Sequence, residues 1–192
     1  MMDLNKYTFN GWGLSKEAFV EIEKLIRDEN ITDVLEFGSG QSTYLLNDLG
    51  VNFTSFDDDI NYSAKLDGVI IRDLISLDDK IFNEVIENNI SYLEICEKYS
   101  IVNQKSTRQK NCFYKLNKED ISKKYQLILL DGPNGNGRSI AFNIIQDKIK
   151  YPCYILIDDY NHHPFIEHFN KIFHKNEIVY DNQYFRIYKI IK

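Results

Sequence analysis

The sequence predicts an α/β domain with a mostly parallel sheet of about seven strands and helices on both faces. Short apolar runs typical of buried strands alternate with segments in which apolar residues recur every three or four positions, as in amphipathic helices. Strand, helix and strand at this spacing form the unit that predicts parallel pairing. The last two runs, 177–180 and 184–191, enclose a short polar turn and predict an antiparallel hairpin.

The order of the elements follows from these patterns. Apolar runs predict the parallel strands at 32–37, 52–56, 69–71, 125–130 and 153–157. Helical periodicity predicts helices at 15–30, 42–48, 80–99, 139–149 and 165–173. Ser15 is a suitable N-cap for the first helix, and Gly50 is a suitable residue to follow the second. The polar, basic stretch 101–120 lacks periodicity and predicts a loop or short strand over the sheet edge.

The length and composition predict one domain. A chain of 192 residues with 43% hydrophobic content can bury one core. Neither an internal repeat nor a low-complexity tract divides it. We therefore expect a single domain over 1–192, in which 1–30 is an N-terminal helical segment and 75–120 is an insert.

Charge and cysteine usage narrow the function classes. Lys and Arg number 23 against 29 Asp and Glu, a net charge of −6, which disfavours broad binding to nucleic-acid phosphates. The scattered Cys96, Cys112 and Cys153 indicate buried thiols in a reducing compartment. The N-terminus has no apolar signal core, and no stretch approaches the ~20 apolar residues of a membrane span. We expect a cytoplasmic protein with neither nucleic acid nor membrane as partner.

Acidic residues follow several of the predicted strands. Asp57, Asp131, Asp158 and Asp159 each come just after an apolar run. The carboxyl ends of parallel strands lie at one edge of a sheet, where ligands bind in open α/β folds. Like charges at one edge repel each other, so this arrangement costs stability unless it serves a function.

A glycine-rich loop, Gly38-Ser39-Gly40, follows the first strand. A P-loop is excluded, because no Gly-Lys-Ser/Thr follows. A dinucleotide fold stays open, since Asp57 stands where an acid would bind ribose hydroxyls, although Thr43 replaces the third glycine of that fingerprint. Glu36, within the strand, would repel a pyrophosphate and attract a ligand with an ammonium group.

This loop resembles the first motif of the class I S-adenosylmethionine-dependent methyltransferases, an acid-x-Gly-x-Gly pattern. The resemblance implies a Rossmann-like methyltransferase fold, with S-adenosylmethionine as the cofactor. It places Asp57 at the ribose, Asp73 near the adenine and Asp131 beside the methionine portion. The cofactor-binding residues that it implies are Glu36, Gly38, Ser39, Gly40, Ser42, Thr43, Asp57, Asp73 and Asp131.

Two narrower likenesses concern the acceptor. Residues 35–43 are similar to small bacterial methyltransferases whose loop is Glu-Phe-Gly-x-Gly-x-Ser-Thr. Residues 131–138 are similar to the Asp-Ala/Gly-Pro…Gly-Arg stretch of plant xylan glucuronic-acid O-methyltransferases. Both imply O-methylation of a small-molecule or sugar acceptor, with the insert 75–120 as a lid over the acceptor site.

Transfer to a hydroxyl needs a general base. Asp131 is the first candidate, and Asp159 and His162 form a second group just past the fifth strand. Arg138 and His163 are candidates for binding the acceptor. The alternatives are ordinary: Asp131 capping a turn, Arg138 in a surface ion pair and the histidines in a polar loop.

Three further questions stay open at this level. Some class I methyltransferases hold Mg²⁺ with acids from the fourth and fifth strands. Asp131 with Asp158 or Asp159 would supply such oxygen ligands, but no metal is predicted.

Trp12 either covers the cofactor cleft or anchors the N-terminal segment on the core. The rival functions are a NAD-dependent oxidoreductase and a non-catalytic binding subunit that keeps the cofactor fold.

Overall fold

A computed structural model describes residues 2–9, 11–98 and 110–192. The strands are β1 Asp33–Phe37, β2 Asn52–Asp57, β3 Val69–Ile71, β4 Leu74–Ser76, β5 Cys112–Tyr114, β6 Tyr125–Leu130, β7 Ile149–Asp158, β8 Asn176–Asp181 and β9 Phe185–Ile190. The α-helices are α1 Lys16–Asp28, α2 Gln41–Asp48, α3 Asp79–Ile86, α4 Tyr92–Lys98, α5 Ile140–Ile145 and α6 Phe165–Ile172. Short 3-10 turns lie at Leu4–Lys6, Lys118–Ile121 and Asn136–Ser139.

Seven strands form one sheet in the order β3-β2-β1-β6-β7-β9-β8. The pairs β1–β2, β2–β3, β1–β6 and β6–β7 are parallel, and β9 runs antiparallel to both β7 and β8. The strand order reverses between β1 and β6, the position at which open α/β sheets bind ligands. Phe37 is in register with Leu130, so the residues that follow these strands meet at the switch point.

Apolar clusters cover both faces of the sheet. The larger one joins β1, β6 and β7 to α3, α4, α5, α6 and the β4–β5 pair. The smaller one joins the other face to α1, α2 and the segment before α1. Phe113 and Tyr114 of β5 are buried in the larger cluster, so the described part of 75–120 is a layer of the fold. Because both faces of the sheet are covered, the side chains on both faces of the central strands are apolar, and the sequences of these strands are continuous apolar runs.

The predicted strands are confirmed, and Ser15 caps α1 by accepting a hydrogen bond from the Ala18 amide at 3.2 Å. The predicted helix over 80–99 is wrong as one element. It is two helices, because Asn88 adopts a left-handed backbone with φ of 59° after α3. Asn143 then accepts a hydrogen bond from the Tyr92 amide at the start of α4.

Two other predicted boundaries are also corrected. The helix predicted over 139–149 ends at Ile145, because β7 begins at Ile149 and the Lys148 carbonyl accepts a bond from Tyr125. The β4 strand carries only three residues, and its partner β5 lies far along the chain, so neither has a local pattern of its own.

Cys96, Cys112 and Cys153 are buried, and no disulfide joins these three residues. Among residues 2–9, 11–98 and 110–192, no helix has the length and apolar character that a membrane crossing requires.

Gly137, in the turn between β6 and α5, tests the position of β5. A Cβ on this residue would stand 1.9 Å from the carbonyl oxygen of Cys112 and 2.4 Å from its amide nitrogen. We expect Gly137→Ala to lower the free energy of unfolding by about 2 kcal/mol or more, because β5 would have to move. Urea unfolding measures this change. Gly40→Ala is the control, since its Cβ meets nothing within 4 Å; equal midpoints in the two variants would contradict the packing of β5.

Candidate functional site

The loops after β1 and β6 touch through their backbones at the switch point. Gly38 adopts φ of +97°, and a Cβ on it would stand 2.7 Å from the Gly132 amide nitrogen. A Cβ on Gly132 would in turn stand 2.8 Å from the Gly38 Cα. Gly38 therefore needs to be glycine for its conformation and for its space. The close approach fixes the glycine loop, residues 38–40, against the residue after β6.

Glu36 lies beneath the glycine loop with no exposed surface. Its carboxylate accepts hydrogen bonds from Ser42 Oγ at 2.5 Å, Thr43 Oγ1 at 2.6 Å and Ser55 Oγ at 2.6 Å. Burial raises the pKa of Glu36, while these hydroxyl donors lower it. Glu36 joins β1 to α2 and β2, because three protein hydroxyls donate to its carboxylate.

The backbone amides of the glycine loop all have protein acceptors. Gly38 donates to the Phe56 carbonyl, Ser39 to Asp57 Oδ2 and Gly40 to Thr43 Oγ1, each at 2.9 Å. Burial raises the pKa of Asp57, although the backbone amides that donate hydrogen bonds to its carboxylate lower it. Thr43, like Glu36, is fully buried and supports the loop from below.

Asp131 and Asp158, at the ends of β6 and β7, hydrogen bond to each other through their carboxyl groups. Burial raises the pKa of Asp131 to about 6. Burial, with the negative charges of Asp131 and Asp159, raises the pKa of Asp158 to about 8. The carboxyl groups of Asp131 and Asp158 therefore lose their protons in two separate steps, and the pair holds one proton between those steps.

Arg138 holds the two strand ends together. Its guanidinium donates to the carbonyls of Asp131 at 2.6 Å, Asp158 at 2.8 Å and Pro133 at 3.3 Å, and only 4% of the residue is exposed. Its charge also lowers the pKa of both carboxyls of the pair. Arg138, which the sequence suggests for acceptor binding, directs its donors to main-chain carbonyls beneath the site.

A cavity of about 200 Å³ opens beside the carboxylate of Asp131. One wall is the N-terminal segment, defined as Thr8, Phe9 and residues 12–14, and the other is the glycine loop with the start of α2. Tyr62, from the loop after β2, completes the rim. Gly13 lies directly over the carboxylate, where a Cβ would be 3.5 Å from Asp131 Oδ2.

Several solved structures with a similar architecture are methyltransferases. The 16S rRNA N2 G1207 methyltransferase RsmC of T. thermophilus, solved with AdoMet and guanosine, has a TM-score of 0.54 at 12% identity, covering 96% of this chain and 45% of that one. An O-methyltransferase of Bacillus cereus, solved with SAH, has a TM-score of 0.52 at 11% identity over 94% and 84% of the two chains. TomG, a Streptomyces achromogenes O-methyltransferase solved with SAM, has 0.52 at 10% identity over 96% and 84%.

The chain has the Rossmann-like methyltransferase fold. No protein-family model matches the sequence, and no curated protein sequence matches it either. At these sequence identities the likeness concerns the fold alone.

The methyltransferase fold brings some of the predicted residues together and leaves others apart. Ser39, Gly40, Ser42 and Asp131 line the cavity. Asp73 does not: it lies in an exposed loop after β3 and borders a separate cavity of about 220 Å³.

The loop after β7 carries the remaining candidates. Asp159 adopts φ of 51°, and its Oδ1 lies 3.6 Å from Nδ1 of the exposed His162. Burial and the charges of Arg138 and His162 lower the pKa of His163. In the described part of the chain, no three His, Cys, Asp or Glu side chains group so that they could hold a metal ion.

Sequence reasoning missed several residues of the site. Thr8, Gly13, Gln41 and Tyr62 border the cavity, yet none belongs to a recognisable motif. Tyr114 of β5 was missed as well; its hydroxyl would stand 2.6 Å from a Cβ on Gly132. The one available signal was the glycine-flanked tryptophan of the N-terminal segment.

Substitution of Glu36 tests its role under the glycine loop. We expect Glu36→Leu to lower the free energy of unfolding by about 3 kcal/mol or more, because three buried hydroxyls lose their acceptor. Glu36→Gln keeps one carbonyl acceptor and should lose distinctly less. Urea denaturation of both variants measures the difference. Equal losses would mean that the hydroxyls find other acceptors and that the carboxylate does not organise the loop.

Proposed function

We propose that this protein is an S-adenosylmethionine-dependent methyltransferase that transfers a methyl group to an oxygen of a small-molecule or carbohydrate acceptor. The observation that carries the proposal is the cavity beside Asp131, at the switch point of a methyltransferase fold. The O-methyltransferases of similar fold, solved with SAM or SAH, support this cofactor and reaction. The three buried cysteines, which no disulfide joins, support a cytoplasmic location.

The charges around the cavity favour a cationic ligand over a dinucleotide. Asp131 supplies a carboxylate, and among the described residues that line the cavity there is neither Lys nor Arg. A pyrophosphate needs unpaired amides at the glycine loop, but Gly38, Ser39 and Gly40 already donate to protein acceptors. A ligand with sulfonium and ammonium groups meets neither obstacle. The carboxylate at the cavity and the occupied amides of the glycine loop therefore favour S-adenosylmethionine over NAD.

Gly40 is the member of the loop that leaves room for the cofactor. A side chain there would meet nothing within 4 Å, so its open side faces free space. The 200 Å³ cavity suits the amino-acid end of S-adenosylmethionine, with Ser39, Ser42 and Gln41 as polar contacts.

In the proposed mechanism Asp131 is the general base. When bound, S-adenosylmethionine supplies an activated methyl group, whose bond to sulfur breaks as its bond to the acceptor oxygen forms. The hydroxyl proton passes to Asp131, which is ionised near neutral pH because its pKa is about 6. Asp158 stabilises that carboxylate by donating a hydrogen bond, and Arg138 fixes both strand ends. The His162–Asp159 pair is the second candidate base.

Calorimetry tests the cofactor. We expect S-adenosylhomocysteine to bind and NAD to give no saturable heat. Gly40→Ala should weaken binding of S-adenosylhomocysteine about tenfold without changing the unfolding midpoint, because its methyl group occupies space at the cavity. Binding of NAD alone would overturn the methyltransferase assignment. Unchanged affinity in Gly40→Ala would place the ligand elsewhere.

The pH dependence of the rate tests the base. We expect the rate to rise between pH 5 and 7, because Asp131 must be ionised. Half-maximal activity is expected at a pH of about 6. Asp158→Leu removes the hydrogen-bond donor and should move this rise to higher pH, whereas Asp158→Asn keeps a donor and should not. The assays contain EDTA, so that no divalent cation titrates with the pair.

Two further variants separate the candidate bases. Asp131→Asn should abolish the rate. His162→Ala should leave the increase of the rate at a pH of about 6 unchanged. Loss of that rise in His162→Ala would transfer the role to the histidine. Cofactor binding with no turnover of any acceptor, in the wild type and in every variant, would favour the non-catalytic binding subunit.

A further inference from the structure

Two large aromatic side chains stand in solvent at the mouth of the Asp131 cavity. Trp12 is 83% exposed and Tyr62 is 82% exposed, although both line the cavity. The bulky Tyr and Phe side chains of the core, by contrast, are fully buried. An exposed aromatic ring offers a flat apolar face, and two of them at one cavity form a surface for stacking.

Trp12 and Tyr62 each belong to a chain segment that is hydrogen bonded to the glycine loop or to α2. The Thr8 amide donates to Gln41 Oε1 at 3.1 Å, and Phe9 packs edge-on against Phe19 at 4.9 Å between ring centroids. These contacts fix Thr8 and Phe9 beside the cavity, and Leu14, two residues after Trp12, is buried in the smaller core cluster. A rim held in place before binding loses less conformational entropy when it meets a ligand.

The segment that carries Tyr62 is held in the same way. The Ala64 amide donates to Ser39 Oγ at 3.1 Å, and the Lys65 amide donates to Tyr44 Oη at 3.1 Å. The Tyr62 amide itself donates to the Asp59 carbonyl at 3.1 Å.

We propose that Trp12 and Tyr62 form the acceptor-binding rim of this site. They stack on the flat face of a hydroxylated ring whose hydroxyl group points towards Asp131. This inference rests on the proposed methyl transfer and specifies its acceptor: a ring with an apolar face and polar edges, whether a phenol or a pyranose.

The position of the rim favours the acceptor over the cofactor. Trp12 is joined directly to Gly13, which lies against the Asp131 carboxylate that takes the proton. In the proposed complex, a ring stacked on Trp12 directs an edge hydroxyl towards that carboxylate. Thr8, which is not among the residues assigned to the cofactor, offers a hydroxyl partner for another polar edge of such a ring.

Fluorescence provides a direct test, because Trp12 is the only tryptophan of the chain. Emission excited at 295 nm is followed while the protein, saturated with S-adenosylhomocysteine, is titrated with catechol or with methyl β-D-glucopyranoside. We expect a saturable change with one of the two rings, which identifies the acceptor class. Tyr62→Ala should weaken that binding about tenfold, whereas Tyr62→Phe, which keeps the ring, should preserve it.

A second pair of variants covers the tryptophan, with affinities measured by calorimetry. Trp12→Ala should weaken ring binding about tenfold, and Trp12→Phe should lose less, since it keeps an aromatic face. Both side chains are exposed, so urea midpoints should stay unchanged. The proposal is overturned if S-adenosylhomocysteine alone changes the emission and neither ring does so. It is equally overturned if the alanine variants bind the rings as the wild type does.

The same titrations without S-adenosylhomocysteine separate this proposal from the proposed reaction. A ring-dependent change in Trp12 emission, in a protein that calorimetry shows not to bind S-adenosylhomocysteine, would support the rim and reject the methyltransferase. Binding of S-adenosylhomocysteine without any ring effect would support the cofactor site and reject the rim.

Discussion

The buried carboxylate of Glu36 is the interaction on which the rest of the site depends. Its hydrogen bonds to Ser42, Thr43 and Ser55 connect the first strand to the following helix and to the next strand. Removing a carboxylate from water is costly, and these donors replace the hydration that it loses. The glycine loop is built above this anchor, so its position is set from below and not by the ligand.

A second buried charge performs the corresponding task on the neighbouring strands. Arg138 binds the main-chain carbonyls at the ends of β6 and β7 and thereby sets the distance between Asp131 and Asp158. Both buried groups thus bind the protein itself, Glu36 through side-chain hydroxyls and Arg138 through main-chain carbonyls. The contact between Gly38 and Gly132 joins the two halves, because any larger residue would force the loops apart.

This arrangement also explains how acids are tolerated at the sheet edge. Burial and mutual repulsion raise the pKa of Asp131 and Asp158, so their carboxyl groups retain protons to higher pH, and the Arg138 guanidinium beneath them reduces the cost of the charge that forms. The third acid of the group, Asp159, sits in a left-handed turn with His162 nearby. The repulsion expected from the sequence is therefore reduced by one proton and one cation, and the pair is left poised to exchange a proton near neutral pH.

The sequence alone determined the parallel core strands, the switch-point loop and the acids that follow the strands, because these depend on local periodicity and on short motifs. It also singled out Asp131, whose position follows directly from the end of an apolar run. It could not identify the protein groups that Glu36 and Arg138 contact, since a charged residue in a motif has the same sequence pattern whether it faces a ligand or the protein.

Only the tertiary structure decided that distinction, by showing which partners occupy each charge. The same holds for Tyr62 and Tyr114, which reach the site from distant segments. Local pattern specifies an element, but burial and long-range contact decide what its side chains meet.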